Sequence, residues 1–349
     1  MAVNITHVAR RAGVSPATVS RVLNGNYPVA TGTRERVLQA VRELGYVANA
    51  HAQALLKASS GTVGVILHDV SDPYFAEICR GIQEVAAARN RLVVLCNSLR
   101  DPAREITYIE MLRAHRVDAV IMAGGYILDE GYLLVLQEQA LRLRGQGSRL
   151  VLCGRHPVSA DAVVPDNTGG AAQLVRHLLR AGHRRIAHIA GPRGFSTTQD
   201  RQEGYLGALA SFAVEADPAL MVSGDFSRQG GYEATIGLLQ SSVDFTAIFA
   251  ANDLVAVGSM AALREHGVRV PDDVSLVGFD DLPISRDITP PLTTVKVPMV
   301  EMGRRSMELA LQERDAACRV VRLPTELVER QSVRVHEPVH AFDKEDDRG

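Results

Sequence analysis

Val8-Ala9-Arg10-Arg11-Ala12-Gly13-Val14-Ser15-Pro16-Ala17-Thr18-Val19-Ser20-Arg21-Val22-Leu23-Asn24 decides the first part of the fold. Ile5, Val8, Ala9 and Ala12 fall on one face of a helix from Ile5 to Ala12. Asn4 is placed to cap its start, and Gly13 sits where a helix end favours left-handed backbone. Ser15 can cap a second helix with Pro16 at its first position, where a missing N–H costs nothing. That helix runs to about Asn24 and turns Val19, Val22 and Leu23 inward. Thr31 is expected to cap a third helix ending at Leu44-Gly45. Ala12-Gly13-Val14 is then a turn of about three residues between the first two helices.

A helix, a glycine turn and a second short helix that starts with small polar residues describe a helix-turn-helix. In that motif the start of the second helix meets base edges in the major groove. Pro16 and Ala17 are small enough to approach a thymine methyl, and Arg21, one turn on, can pair with guanine O6 and N7. Ser15, Thr18, Ser20 and Asn24 can bond phosphate oxygens and set the register. The local charge agrees. Residues 1–60 carry seven Lys/Arg and two acids, although the whole chain of 349 residues has a net charge of −2. A basic module on an acidic body is the pattern to explain.

The rest of the composition excludes other classes. At 46% hydrophobic and 22% charged, the chain is ordinary globular protein of two or three domains. Cys79, Cys96, Cys153 and Cys318 are far apart and form no C-x-x-C or zinc spacing, so they read as buried free thiols, with no metal or cofactor expected. Arg10 and Arg11 interrupt the only apolar stretch near the N-terminus, and no run reaches the roughly 18 apolar residues of a membrane span. A cytoplasmic protein is expected. Nucleotide-binding, zinc-hydrolase and serine-hydrolase signatures are absent, so no catalytic residues are assigned. His183 and His188 look like surface and core residues respectively.

From Gly61 the pattern changes to β-rich runs alternating with helical stretches. The expected strands are 63–67, 92–96, 119–122, 150–152, 186–189, 247–249 and 275–279, with helices near 75–90, 102–115, 169–181, 201–212, 230–240 and 253–266. Such alternation predicts parallel sheets covered on both faces, and the number of units predicts two α/β lobes. Residues 337–349, with five acids, read as a disordered tail.

Val8-Ala9, Ala12-Gly13-Val14-Ser15, Thr18 to Asn24, Thr33-Arg34-Glu35-Arg36-Val37 and Leu44-Gly45-Tyr46 resemble the LacI/GalR (lactose-repressor) family of bacterial transcription regulators. The resemblance continues to about residue 335. It implies a helix-turn-helix domain over 1–48 and a hinge helix and linker over 49–60. It also implies a periplasmic-binding-protein-like effector domain over 61–336. The N-lobe would hold about 61–160 and 293–323, and the C-lobe about 161–291 and 324–336. In the family the hinge folds on operator DNA, and two hinges from a dimer enter the minor groove. Asn49, Ala52, Gln53 and Leu55 would line that contact, with Leu55 wedging into a base step. Ala48 and Gln53 depart from the Pro and Arg usual there.

The resemblance also implies a small-molecule effector, most readily a sugar or sugar derivative, bound between the lobes of a homodimeric repressor on palindromic DNA. Open α/β sheets bind ligands beyond the carboxyl ends of their strands, and the matching residues stand there. Asp72 could accept a hydroxyl, and Tyr74 and Phe75 could stack on a sugar's C–H face. Arg201 matches the family's pocket arginine, able to fork onto two hydroxyls. Asn252 and Asp280 suit further hydroxyls, and Phe226 matches an aromatic platform. The rival reading is a free sugar-binding protein of the same body fold with no DNA role, which the basic N-terminal module opposes.

Overall fold

The computed structural model describes residues 3–24, 27–46, 60–312 and 317–335. Its first part is three helices, α1 (Ile5–Ala12), α2 (Pro16–Asn24) and α3 (Thr31–Leu44). Asn4 Oδ1 accepts from the backbone of Thr6 and His7, and the His7 ring accepts from Asn4 N, so the start of α1 is held from both sides. Gly13 ends α1 at φ 66°. Ser15 Oγ accepts from Thr18 N at 3.1 Å, capping α2 as expected. Thr31 does not cap α3. It is the helix's first residue, and Ala30 precedes it with no side-chain bond. Val8, Ala9, Ala12, Val19, Val22, Val37 and Ala40 form the small core of this module.

The body contains two parallel sheets. The first has the order β11-β5-β4-β3-β1-β2. Its strands are β1 (Thr62–Leu67), β2 (Leu92–Asn97), β3 (Ala119–Ala123), β4 (Arg149–Cys153), β5 (Asp161–Pro165) and β11 (Val320–Leu323). The helices α4 (Pro73–Ala88), α5 (Pro102–Ala114) and α6 (Glu130–Gly145) connect its first four strands. The second sheet has the order β7-β6-β8-β9, from β6 (Ile186–Ala190), β7 (Met221–Ser223), β8 (Ala247–Ala250) and β9 (Ser275–Val277). Its helices are α7 (Asn167–Arg180), α8 (Ser196–Ser211), α9 (Arg228–Gln240), α10 (Asp253–Glu265) and the short α11 (Ile284–Asp287). The antiparallel pair β10 (Thr294–Lys296) and β12 (Glu326–Val328) flanks it, and α12 (Met299–Leu311) packs on α4. No helix among the described residues is long and apolar enough to cross a membrane.

The chain crosses between lobes three times, the last between β11 and β12 as expected, but the first two are not where the sequence placed them. Asp161–Pro165 pairs with β4 and β11, so it belongs to the first lobe, although a boundary near 160 put it in the second. Residues 293–296 were expected in the first lobe. Instead Thr293 bridges Val277 and Lys296 bridges Asp280, which holds them on the second. In both cases strand pairing decides, and pairing partners are remote in sequence. Two burial readings also change. His183 is fully buried, with Nδ1 2.8 Å from Thr246 Oγ1, whereas His188 is core as expected. Cys318 is exposed, while Cys153 is buried and Cys79 and Cys96 are half-buried, all four as free thiols.

Candidate functional site

All seven residues expected around the effector line a single cavity between the lobes. From the first lobe come Asp72, Tyr74 and Phe75, at the start of α4. From the second come Arg201 on α8, Phe226 after β7, Asn252 after β8 and Asp280 after β9. The sequence reading missed six more: His68, Arg100, Gly124, Gly125, Phe195 and Thr197. Four of these follow the carboxyl ends of β1, β2 and β3. The strand-end rule would have found them had it been applied to every strand.

Arg201 is the fixed point of the second lobe. It is 4% exposed, with Nε donating to Asn167 Oδ1 at 3.2 Å, Nη1 to the Ala251 carbonyl and Nη2 to Asp280 Oδ1 at 2.9 Å. Its guanidinium carbon lies 3.8 Å from the centroid of the Phe279 ring. Such a group cannot swing to meet a ligand; it arrives preorganised. Burial pushes the Asp280 carboxyl up to about 7 against the pull of Arg201, and the charge of Asp72 adds to the rise. Burial likewise raises Asp72, opposed by the Tyr74 N–H and by Arg100.

Asp72 holds both roles the sequence allowed. Oδ1 accepts from Tyr74 N at 3.0 Å and caps α4, while Oδ2 lies 3.7 Å from Arg100 Nη2 at the cavity. Asn252 is more committed than expected. Its Oδ1 caps α10 through Val255 N, and Nδ2 donates to the Phe226 carbonyl at 3.1 Å, which leaves one amide N–H for a ligand. Three lining residues, Arg100 (φ 60°), Phe226 (φ 67°) and Asp280 (φ 110°), hold left-handed backbone without being glycine. Strain of this kind persists only where surrounding contacts over-determine it.

Direct contacts tie the lobes together around the cavity. The Arg100 guanidinium lies 5.8 Å from the Phe226 ring centroid. Ile127 and Phe195 form an antiparallel bridge, and Ser196 Oγ accepts from Tyr126 N at 3.1 Å. Arg155, after β4, forks onto Asp200 of α8 at 2.6 and 3.2 Å. The wall is therefore aromatic faces, two carboxylates with raised pKa, two guanidinium groups and few unengaged donors. That suits a neutral, hydroxyl-rich molecule with apolar C–H faces better than a strong ion.

In the helix-turn-helix module, Ser15, Pro16, Ala17 and Arg21 are exposed on the outer side of α2, while Val19 and Val22 face its core. Thr18 and Ser20 are half-buried, and Thr18 Oγ1 sits 3.0 Å from Ser15 Oγ. Arg21 lies 5.9 Å from the Tyr27 ring centroid. The side chain of Asn24 lies outside the described residues, as do Asn49, Ala52, Gln53 and Leu55 and the tail 337–349.

A helix-turn-helix module joined to a two-lobed body with an interlobe cavity defines a ligand-responsive transcription regulator. Residues 4–49 match the model of bacterial regulatory proteins of the lacI family, and residues 175–333 match a periplasmic binding protein-like domain. The chain is 38% identical over 312 residues to the HTH-type transcriptional regulator GalS of Salmonella typhimurium, covering 89% of each protein. It is 33% identical to the ribose operon repressor of Halalkalibacterium halodurans, covering 95% of this chain and 97% of that one. A structure of the lac repressor dimer bound to operator and the anti-inducer ONPF superposes with a TM-score of 0.84 at 29% identity, covering 96% of this chain and all of the other. A complex of the regulator CelR with cellobiose gives 0.70 at 32%, covering 95% and 99%. The chain belongs to the lacI family of bacterial transcriptional regulators, and these relatives are regulators rather than enzymes.

Proposed function

We propose that this protein is a homodimeric repressor whose affinity for a palindromic operator is set by a sugar or sugar derivative in the interlobe cavity. The observation that carries the reading is the cavity wall. Arg201 and Asp280 are locked together at 2.9 Å on one side, and Asp72, Tyr74 and Phe75 stand on the other. Relatives that act on ribose operons or bind cellobiose support the carbohydrate class.

The coupling is physical. A ligand that touches both lobes stabilises one angle between them over another, and it shifts the equilibrium only by its difference in affinity for the two. In a dimer that angle sets the spacing of the two hinges, residues 49–60, and so decides whether Leu55 of each can enter the minor groove. Pro16, Ala17 and Arg21 then read bases, while Ser15, Thr18, Ser20 and Asn24 hold phosphates. The edge strand β2 favours the dimer. Leu92, Val94 and Leu95 on it, and Leu99 beyond it, are exposed apolar residues on an otherwise unprotected sheet edge.

The test uses the full-length protein and a fluorescent duplex carrying an inverted repeat chosen by selection from random DNA. Binding should be of one dimer per duplex and fall steeply with salt. One member of a panel holding D-galactose, D-ribose and cellobiose should change operator affinity by about tenfold or more, in the usual range of allosteric coupling. Operator binding indifferent to every carbohydrate tried would reject the effector class.

A further inference from the structure

A second cavity lies between α8 and the face of the second sheet at its β7 edge. It holds about 430 Å³, within the range of small-molecule sites. Phe195 is the one described residue it shares with the effector cavity. The register pairs His188 with Met221 and Ala190 with Ser223, so these four side chains project from one face of the sheet. Thr198 and Gln202, one helical turn apart on α8, line the opposite wall, and Leu128 reaches in from the first lobe.

Two polar atoms of the lining residues are buried without a partner. His188 is 1% exposed and Thr198 6%, and neither His188 Nε2 nor Thr198 Oγ1 meets a hydrogen-bonding group among the described residues. The other nitrogen of His188 fixes its chemistry. Nδ1 lies 3.1 Å from the Phe249 carbonyl, which can only accept, so Nδ1 carries the proton and Nε2 keeps its lone pair. Burial pushes the group down to about 4, so the ring is neutral. Stacking with Phe249 and Tyr205, at 4.5 and 5.1 Å between centroids, holds the ring in place. Nδ1, the nitrogen beside the stem, bonds the sheet's own main chain. Nε2 is the distal nitrogen, so it points out from the sheet into the layer under α8, where the cavity lies. An acceptor left bare there destabilises the fold unless something from outside the chain donates to it. Gln202 is held by no polar contact firmer than 4.0 Å, from Nε2 to Met221 Sδ, and can turn to admit a ligand.

The wall decides the class of ligand. Phe195, Pro218, Met221 and Val222 are apolar, while Arg193 and Gln199 are exposed at the mouth. No carboxylate stands among the described lining residues, so nothing there holds a cation. The lone pair on Nε2 repels an anion. We propose that this is a second small-molecule site, for an uncharged ring compound with an apolar body, whose hydroxyl donates to His188 Nε2 and whose polar edge meets Thr198 Oγ1. The site is independent of what the effector cavity takes.

Phenol is the probe, used with the full-length protein in two measurements. In the first, long-range proton–nitrogen spectra of histidine-labelled protein should show an Nδ1–H ring whose signals vanish in His188→Leu. Its bare Nε2 should move to lower frequency, saturably, as phenol is added. In the second, calorimetric titration should show phenol binding weakened about fivefold in His188→Leu and about twofold or more in Thr198→Val. Asp72→Ala, in the effector cavity, should leave it within about twofold. Thr198→Val removes a hydroxyl that has no partner, so the Tm of the free protein should not fall, which separates a lost contact from a damaged fold. An Nε2 signal that phenol does not move assigns the place to a fixed water and overturns the site. Phenol binding that Asp72→Ala weakens and His188→Leu does not, or no phenol binding at all, overturns it equally.

Discussion

Arg201→Met tests the electrostatic centre of the cavity. The methionine keeps most of the stem and removes three donor contacts, to Asn167, to the Ala251 carbonyl and to Asp280. Each buried acceptor left without its donor costs about 1–3 kcal/mol, and above pH 7, where Asp280 is ionised, the loss of its charged partner adds to that. Here the cost must depend on pH. Asp280 already sits at about 7 because burial outweighs the pull of Arg201. Without the guanidinium it rises further. A carboxyl whose folded pKa is raised contributes stability that is fully present below its unfolded value and is lost as pH climbs through the folded one. In the parent that loss is complete just above pH 7, whereas in the variant it continues upward. The difference between them should therefore be nearly flat below about pH 6 and grow by about 1.4 kcal/mol per unit above pH 7. Urea unfolding followed by circular dichroism, at pH 6 and pH 8.5, should give a cost near 3 kcal/mol that increases by about 2 kcal/mol. In an Asp280→Asn background the growth should vanish. A cost under about 1 kcal/mol, or one that does not change with pH, refutes the buried-pair reasoning. The same variant should give a flat effector titration of operator affinity.

The remaining expectations concern other parts of the chain. Asn4→Ala removes the side chain that accepts from Thr6 and His7, and should cost the N-terminal module about 1 kcal/mol, read by amide exchange in α1; unaltered protection there contradicts the cap. Arg21→Ala should relax base preference at one position of each half-site by about 1–3 kcal/mol in a selection experiment, and an identical selected motif removes its base-reading role. His188, pushed down to about 4 by burial, is neutral when folded but takes up a proton on unfolding below its ordinary value near 6.5. Stability present above pH 6.5 is therefore lost as pH falls to 4, by about 3 kcal/mol. His188→Leu should flatten that acid limb in a plot of Tm against pH, and an unchanged slope assigns the acid sensitivity elsewhere.

Much of the architecture was legible because its signals are local. The bounds of α1 coincide with the apolar stripe Ile5, Val8, Ala9 and Ala12 between a capping Asn4 and Gly13, all within ten residues. The alternation of strands and helices after Gly61 announced parallel sheets, and the residues matched to the family's pocket, several of them just after strands, line one cavity. Failures came where local chemistry was ambiguous. Ala30 and Thr31 can each precede a helix start, and the backbone chose the residue with no capping oxygen. His183 follows Gly182 in a polar run and read as surface, yet Thr246 and the Arg334 carbonyl, far along the chain, enclose it.

By itself, the amino-acid order determined the helix-turn-helix and the two-lobed α/β class, because periodicity and caps are written within a few residues of where they act, while the seven cavity residues came from the resemblance to the family's pocket. Only the tertiary structure decided which sheet holds Asp161–Pro165 and that Asp280 pairs with Arg201 across 79 positions. It alone placed the His68 ring nitrogen Nε2 3.3 Å from Glu105 Oε1. Those outcomes depend on which distant groups share a water-poor space, and there a charge or a lone pair takes its meaning from neighbours that the linear order does not bring together.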